Sequence, residues 1–148
     1  MNTKLFNSAF EMELRILLLL LESKDEKYTV DRIVVLDFIT CYSADFSLPY
    51  GNLHGENNYK FGEISNRRML VQEAIKQLVT RGFVQVEIDK GYYFSISELG
   101  RDYAKKLKSS YAKEYKMIAR AVIKKYRKES DEGILTEIQS HSIVSLKV

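Results

Sequence analysis

Apolar residues recur at helical spacing from the start of the chain. Ser8 followed by Glu11 has capping-box spacing, the hydroxyl accepting from an early backbone N–H while Glu11 reaches back. A first helix is predicted over about Ala9 to Glu22, with Phe10, Leu14, Leu17, Leu18 and Leu21 as its core stripe. Ile16, Leu19 and Leu20 widen that stripe almost all the way round. A helix apolar on every side needs cover on every side, and Leu19 and Leu20 are expected to take part of theirs from another chain. The run Ile16 to Leu21 is far shorter than the roughly twenty residues of a membrane span. No basic leader or cleavage signal precedes it, so it reads as a buried helix segment and not as an anchor.

Thr29 is expected to cap a second helix over about Val30 to Tyr42, with Asp31 in the first turn, where the helix dipole favours an acid. Residues 43–64 then form a long loop that holds the only proline. A loop of this length inside a compact domain is usually functional or mobile. Its aromatics Phe46, Tyr50, Tyr59 and Phe61 are of the kind that anchor interfaces. A third helix is predicted from a Ser65 cap to Arg81, with Gly82 suited to the left-handed position beyond the last turn. "VQVEI" alternates at period two, "DKG" supplies turn chemistry, and "YYFSI" returns as the second strand of a hairpin.

Ser97 opens a final helix expected to run unbroken to about Lys128, roughly 45 Å. Its stripe of Leu99, Tyr103, Leu107, Tyr111, Tyr115, Ile118, Val122 and Tyr126 repeats at three- and four-residue steps. The tail 129–148 lacks a clear period and is expected to add as a strand to a sheet edge or to stay loose. The fold class is therefore mainly α with a small β-hairpin. A winged helix-turn-helix over 1–96 is followed by a long basic amphipathic C-terminal helix over 97–128 and the tail.

Composition changes this picture in one respect. A chain of 148 residues, 45% hydrophobic and 29% charged, is one ordinary soluble domain. Cys41, the lone cysteine, suits a reducing cytoplasm and reads as a small apolar residue. Charge, however, is uneven. Arg101 to Lys128 holds eleven Lys or Arg and only Asp102 and Glu114 as acids, near +9, so the remainder is near −6. Lys116, Arg120, Lys124 and Lys128 could meet a phosphate backbone or an acidic protein. On helix three, Arg68, Gln72 and Lys76 share a face with Arg67 beside them, a set able to hydrogen-bond base edges and phosphates. The same set is equally the wet side of an amphipathic helix. Glu87 and Asp89 outweigh Lys90 at the wing tip, which disfavours a phosphate there.

No phosphate loop, metal spacing or nucleophile elbow appears, and His54 and His141 stand far apart. The expectation is a protein without catalytic residues, cofactor or small-molecule substrate.

The segments "DFITCYSADF" (Asp37 to Phe46), the loop with Pro49, Leu53 and His54, "EISNRRMLVQEAIKQLVTRGFV" (Glu63 to Val84) and "FNSAFEMELRILLLLLES" (Phe6 to Ser23) resemble the middle component of ABC-three component systems. The resemblance covers roughly residues 5–125. It implies a small non-catalytic partner of an SMC-like coiled-coil ATPase and a nuclease-type effector, as in Lamassu-type bacterial defence against phage or plasmids. The competing expectation from the residues is a dimeric winged-helix transcription regulator with helix three in the major groove.

Overall fold

The computed structural model of the chain describes residues 8–54 and 60–146. Among these, six α-helices and one antiparallel hairpin follow in the order α1 (Ala9–Glu22), α2 (Val30–Cys41), α3 (Ile64–Thr80), β1 (Val84–Ile88), β2 (Tyr92–Ile96), α4 (Glu98–Lys105), α5 (Ser110–Tyr126) and α6 (Asp131–Leu146).

The predicted caps hold for α1, α2 and α4. Ser8, Thr29 and Ser97 each accept, through the side-chain oxygen, the backbone N–H three residues on. The Glu11 carboxylate, however, takes Arg15 instead of returning to the cap. Helix α3 starts one residue before Ser65, entered directly from a 3₁₀ turn over Lys60–Glu63, with no side-chain cap. It ends as expected. Gly82 adopts φ 80°, and Phe83 N–H donates to Leu78 O at 2.9 Å, a Schellman close. In the hairpin Val86 stands opposite Phe94, and Tyr28 bridges the far side of β2.

Three expectations give way. The single helix over 97–128 is two: α4 stops at Lys105, and Ser109 caps a new helix by accepting from Ala112 N–H at 3.1 Å. A serine at that position offers the backbone an alternative to continuing the helix. The tail is neither strand nor loose coil over its described part but α6, opened by Ser130, whose side chain accepts from Gly133 N–H. Arg32 clamps the turn before it, donating to the carbonyls of Tyr126 and Glu129 and to Asp131.

The third concerns α1. It lies at the centre of the bundle, packed against α2, α3, α4, α5 and β2. Leu19 and Leu20 are 0% exposed, enclosed by their own chain, so no second chain is needed to cover them. Folding α4 and α5 back over α1 supplies the cover that a straight terminal helix could not.

Gly100 sets the fit of α4 against the hairpin. A Cβ there would sit 2.1 Å from the Phe83 carbonyl oxygen, which itself accepts from Ser97 N–H. Gly100→Ala is expected to lower unfolding free energy by about 1–3 kcal/mol through overpacking, read by urea denaturation.

Candidate functional site

Four helices send one polar side chain each into the core. The Asp37 carboxylate of α2 accepts from Arg15 of α1 through Nε (2.9 Å) and Nη2 (3.1 Å). It also accepts from Arg67 of α3 through Nη1 (2.5 Å) and from the Tyr115 hydroxyl of α5 (2.7 Å). All four are buried. Burial alone would raise the Asp37 carboxyl, but Arg15 and Arg67 outweigh it and hold the group well below the usual carboxylate range. Arg67 also lies 5.4 Å over the Phe38 ring, while its Nε and Nη2 have no partner among the described residues. Burial, with the Asp37 charge adding, pushes the adjoining Cys41 thiol up to about 12, which keeps it protonated.

A second polar layer covers this one. Tyr111 donates to Glu11 Oε1 at 3.1 Å, so its oxygen accepts from His54 Nε2–H at 2.9 Å. Glu11 in turn holds Arg15. Burial, helped by the Arg15 charge, lowers the His54 imidazole to about 3. The described part of the loop is therefore pinned to the body. His54 N–H reaches Cys41 O, Asn52 Oδ1 accepts from Ala44 N–H, and Phe46 packs on Phe38 and His141.

These contacts locate the residues singled out in the sequence. Arg67 is 2% exposed and joined to Asp37, so its guanidinium faces the core and not a groove; this corrects its placement on a reading face. Arg68 is on the surface, paired with Asp31 at 2.5 Å. Gln72 and Lys76 are exposed along the groove between α3 and the hairpin, where Ile75, Val79, Val86, Tyr92 and Phe94 also lie. Phe46 is buried and Tyr50 half-buried against the core, so Phe46 serves the fold and not an outer contact. Tyr59 and the side chain of Phe61 lie outside the described residues.

Arg120 of α5 pairs with Glu22 at 2.8 Å and Arg127, just past its end, with Glu26 at 3.2 Å, while Arg101 of α4 stands 4.0 Å from Asp25. Glu22 at the end of α1, with Asp25 and Glu26 of the link that follows, thus pairs with three arginines of the basic segment. Lys124 and Lys128 are exposed and Lys116 is half-buried.

The inner cluster went unread in the sequence, though a signal existed. Asp37 interrupts a run of apolar residues in the middle of a helix, and a charge there implies an internal partner.

Two outcomes follow. Asp37→Asn leaves the buried Arg67 guanidinium without a counter-charge among the described residues and Arg15 with Glu11, and is expected to remove about 3–5 kcal/mol of stability; the combined Arg15→Met, Asp37→Leu, Arg67→Met variant should recover most of it in urea titration. His54 has a folded value below its ordinary one, so the unfolded chain binds the extra proton. Its contribution is present above about pH 6.5 and is lost as pH falls toward 3, at a slope of up to about 1.4 kcal/mol per pH unit. His54→Gln should flatten the decline in stability between pH 6 and 4.5 relative to the unaltered chain.

Comparison with known families gives one match. The profile of the ABC-three component (ABC-3C) system Middle Component 2 spans residues 5–147. No curated protein and no solved structure matches the chain. The matched span takes in α1 through α6 and runs past the point where the sequence resemblance stopped. The chain belongs to the ABC-three component system Middle Component 2 family, and so is the middle component of a multi-component defence system in which it has an accessory role and protein partners.

Proposed function

We propose that this chain is a non-catalytic middle subunit of a Lamassu-type complex acting against phage or plasmids in the bacterial cytoplasm. It joins an SMC-like coiled-coil ATPase to a nuclease-type effector. The observation that carries this reading is the family match over nearly the whole chain.

The structure changes how the bridging would work. With Leu19 and Leu20 enclosed, partners meet the finished surface of the folded chain and not an unfilled core. Two parts of that surface suit protein contact: the groove between α3 and the hairpin, and the α5 lysines, whose charge favours an acidic partner or a nucleic-acid backbone. The order α1, α2, α3, hairpin, with Tyr28 bridging β2, supports a winged helix-turn-helix arrangement. Use of that arrangement as a dimeric DNA-reading regulator is weakened. Of the four α3 residues considered for base contact, Arg67 is tied to Asp37 and Arg68 to Asp31, which leaves Gln72 and Lys76 for bases.

Co-expression with the products of the adjacent reading frames tests the proposal. The tagged chain is expected to retain a long coiled-coil ATPase and an effector through size exclusion. Elution of the chain alone, with both proteins present and folded, overturns it. Replacing Lys116, Lys124 and Lys128 by Gln should lower the salt dependence of DNA binding by the assembled complex, and an unchanged slope removes DNA from the partners of α5.

A further inference from the structure

Among the described residues the hairpin has one covered edge and one open edge. Phe94 exchanges both backbone hydrogen bonds with Tyr28, at 2.9 and 2.8 Å. Its N–H and C=O therefore point away from β1. Phe94 stands opposite Val86, so by the alternation of an antiparallel ladder Val86 also turns its N–H and C=O away from β2. Ser97 N–H donating to Phe83 O fixes the same phase at the other end of the pair. Val84, Val86 and Ile88 thus present their backbone groups along the free side of β1.

That edge also carries apolar side chains. Val84, Val86 and Ile88 lie on one face with Ile96, Phe94 and Tyr92. Toward the tip the face emerges from the cover of α3: Val86 is 43% exposed, Ile88 73% and Tyr92 62%. Proteins usually protect such an edge with a proline, a bulge or an inward charge. Here Val84 to Ile88 pairs residue for residue with β2 and contains no proline. Its single charge, Glu87, lies on the opposite face and is held by Lys27 at 2.5 Å.

We infer that the free edge of β1 pairs antiparallel with the same edge of a second copy of this chain, about a two-fold axis at Val86. The sequence is self-complementary in that register. Val86 meets Val86 of the second copy, Val84 meets Ile88, and Gln85 meets Glu87, an amide donor against a carboxylate. Sliding by one ladder step so that Val86 meets Ile88 sets Glu87 against Glu87, a like-charge pair that disfavours it. Sliding the other way, so that Val84 meets Val86, shortens the overlap. The two-fold contact is closed, so it yields a dimer and not a filament. The pairing covers Val86 and Ile88 and continues the hairpin into a wider sheet.

Sedimentation velocity of the purified chain over a hundredfold concentration range tests this. The unaltered chain is expected to form a reversible dimer. Ile88→Lys and Gln85→Glu should each weaken it at least tenfold, the second by setting a new carboxylate against Glu87 on both sides of the axis. Gln85→Lys should tighten it several-fold by creating two ion pairs across the axis. Gln85 and Ile88 are both exposed, and unchanged circular dichroism and melting temperature show that the fold of each variant is intact. A chain that stays monomeric throughout overturns the inference, as does a dimer indifferent to residues 85 and 88. A monomer whose Ile88→Lys variant loses a partner protein of the complex also overturns it, by assigning the edge to a strand from that partner. The sedimentation results on the purified chain do not depend on the defence role.

Discussion

Asp37 is the point at which four helices are fixed relative to one another. Its two oxygens take donors from α1, α3 and α5 while it stands on α2. Burying an aspartate and two arginines carries a desolvation penalty of several kcal/mol per ion, which their attraction roughly offsets. The cluster is therefore a weak source of net stability and a strong source of position. A shift of α3 or α5 along its axis separates a charge from its partner in a medium where that separation is expensive. The apolar core, which is non-directional, supplies the driving force, and the cluster selects one arrangement of it.

That arrangement determines what the outside of the molecule offers. Because α4 and α5 fold back over α1, the leucine run is sealed and leaves no apolar surplus at the centre of the bundle. The same fold-back brings the basic segment onto the end of α1 and the link after it, where Arg101, Arg120 and Arg127 meet Asp25, Glu22 and Glu26. Exposed pairs of this kind add little to stability. Their consequence is electrostatic: part of the cationic face suggested by the sequence is satisfied internally, and lysines make up most of what is left. The exposed apolar surface of the hairpin and the α3 groove is then the part of the molecule least accounted for by its own folding.

Much of the local structure was legible before any coordinates. The two hairpin strands, the Ser97 cap and the glycine stop at Gly82 all follow from short-range rules and stand as read. The errors have a common cause, since each needed tertiary information. The apolar stripe from Leu99 to Tyr126 continues across Ser109 as though the helix did, because both halves pack on the same core; only the cap shows the break. Helix α6 has a weak period since Ile134 and Ile138 are its buried anchors among the described side chains. Arg67 and Arg68 are adjacent on one helix, yet one points inward to Asp37 and the other outward to Asp31. Spacing gave them a shared neighbourhood and could not assign their partners. The family resemblance was legible in the first 125 residues, while the match extends to residue 147.

The claim beneath the account is that Asp37 binds α1, α2, α3 and α5 into one cooperative unit that is complete without a partner. Native-state amide hydrogen exchange on the isolated chain tests it most directly. The slowest amides of those four helices are expected to exchange with one common free energy equal to that of global unfolding. Exchange of α5 or α3 at a distinctly lower free energy, with α1 and α2 still protected, would contradict it.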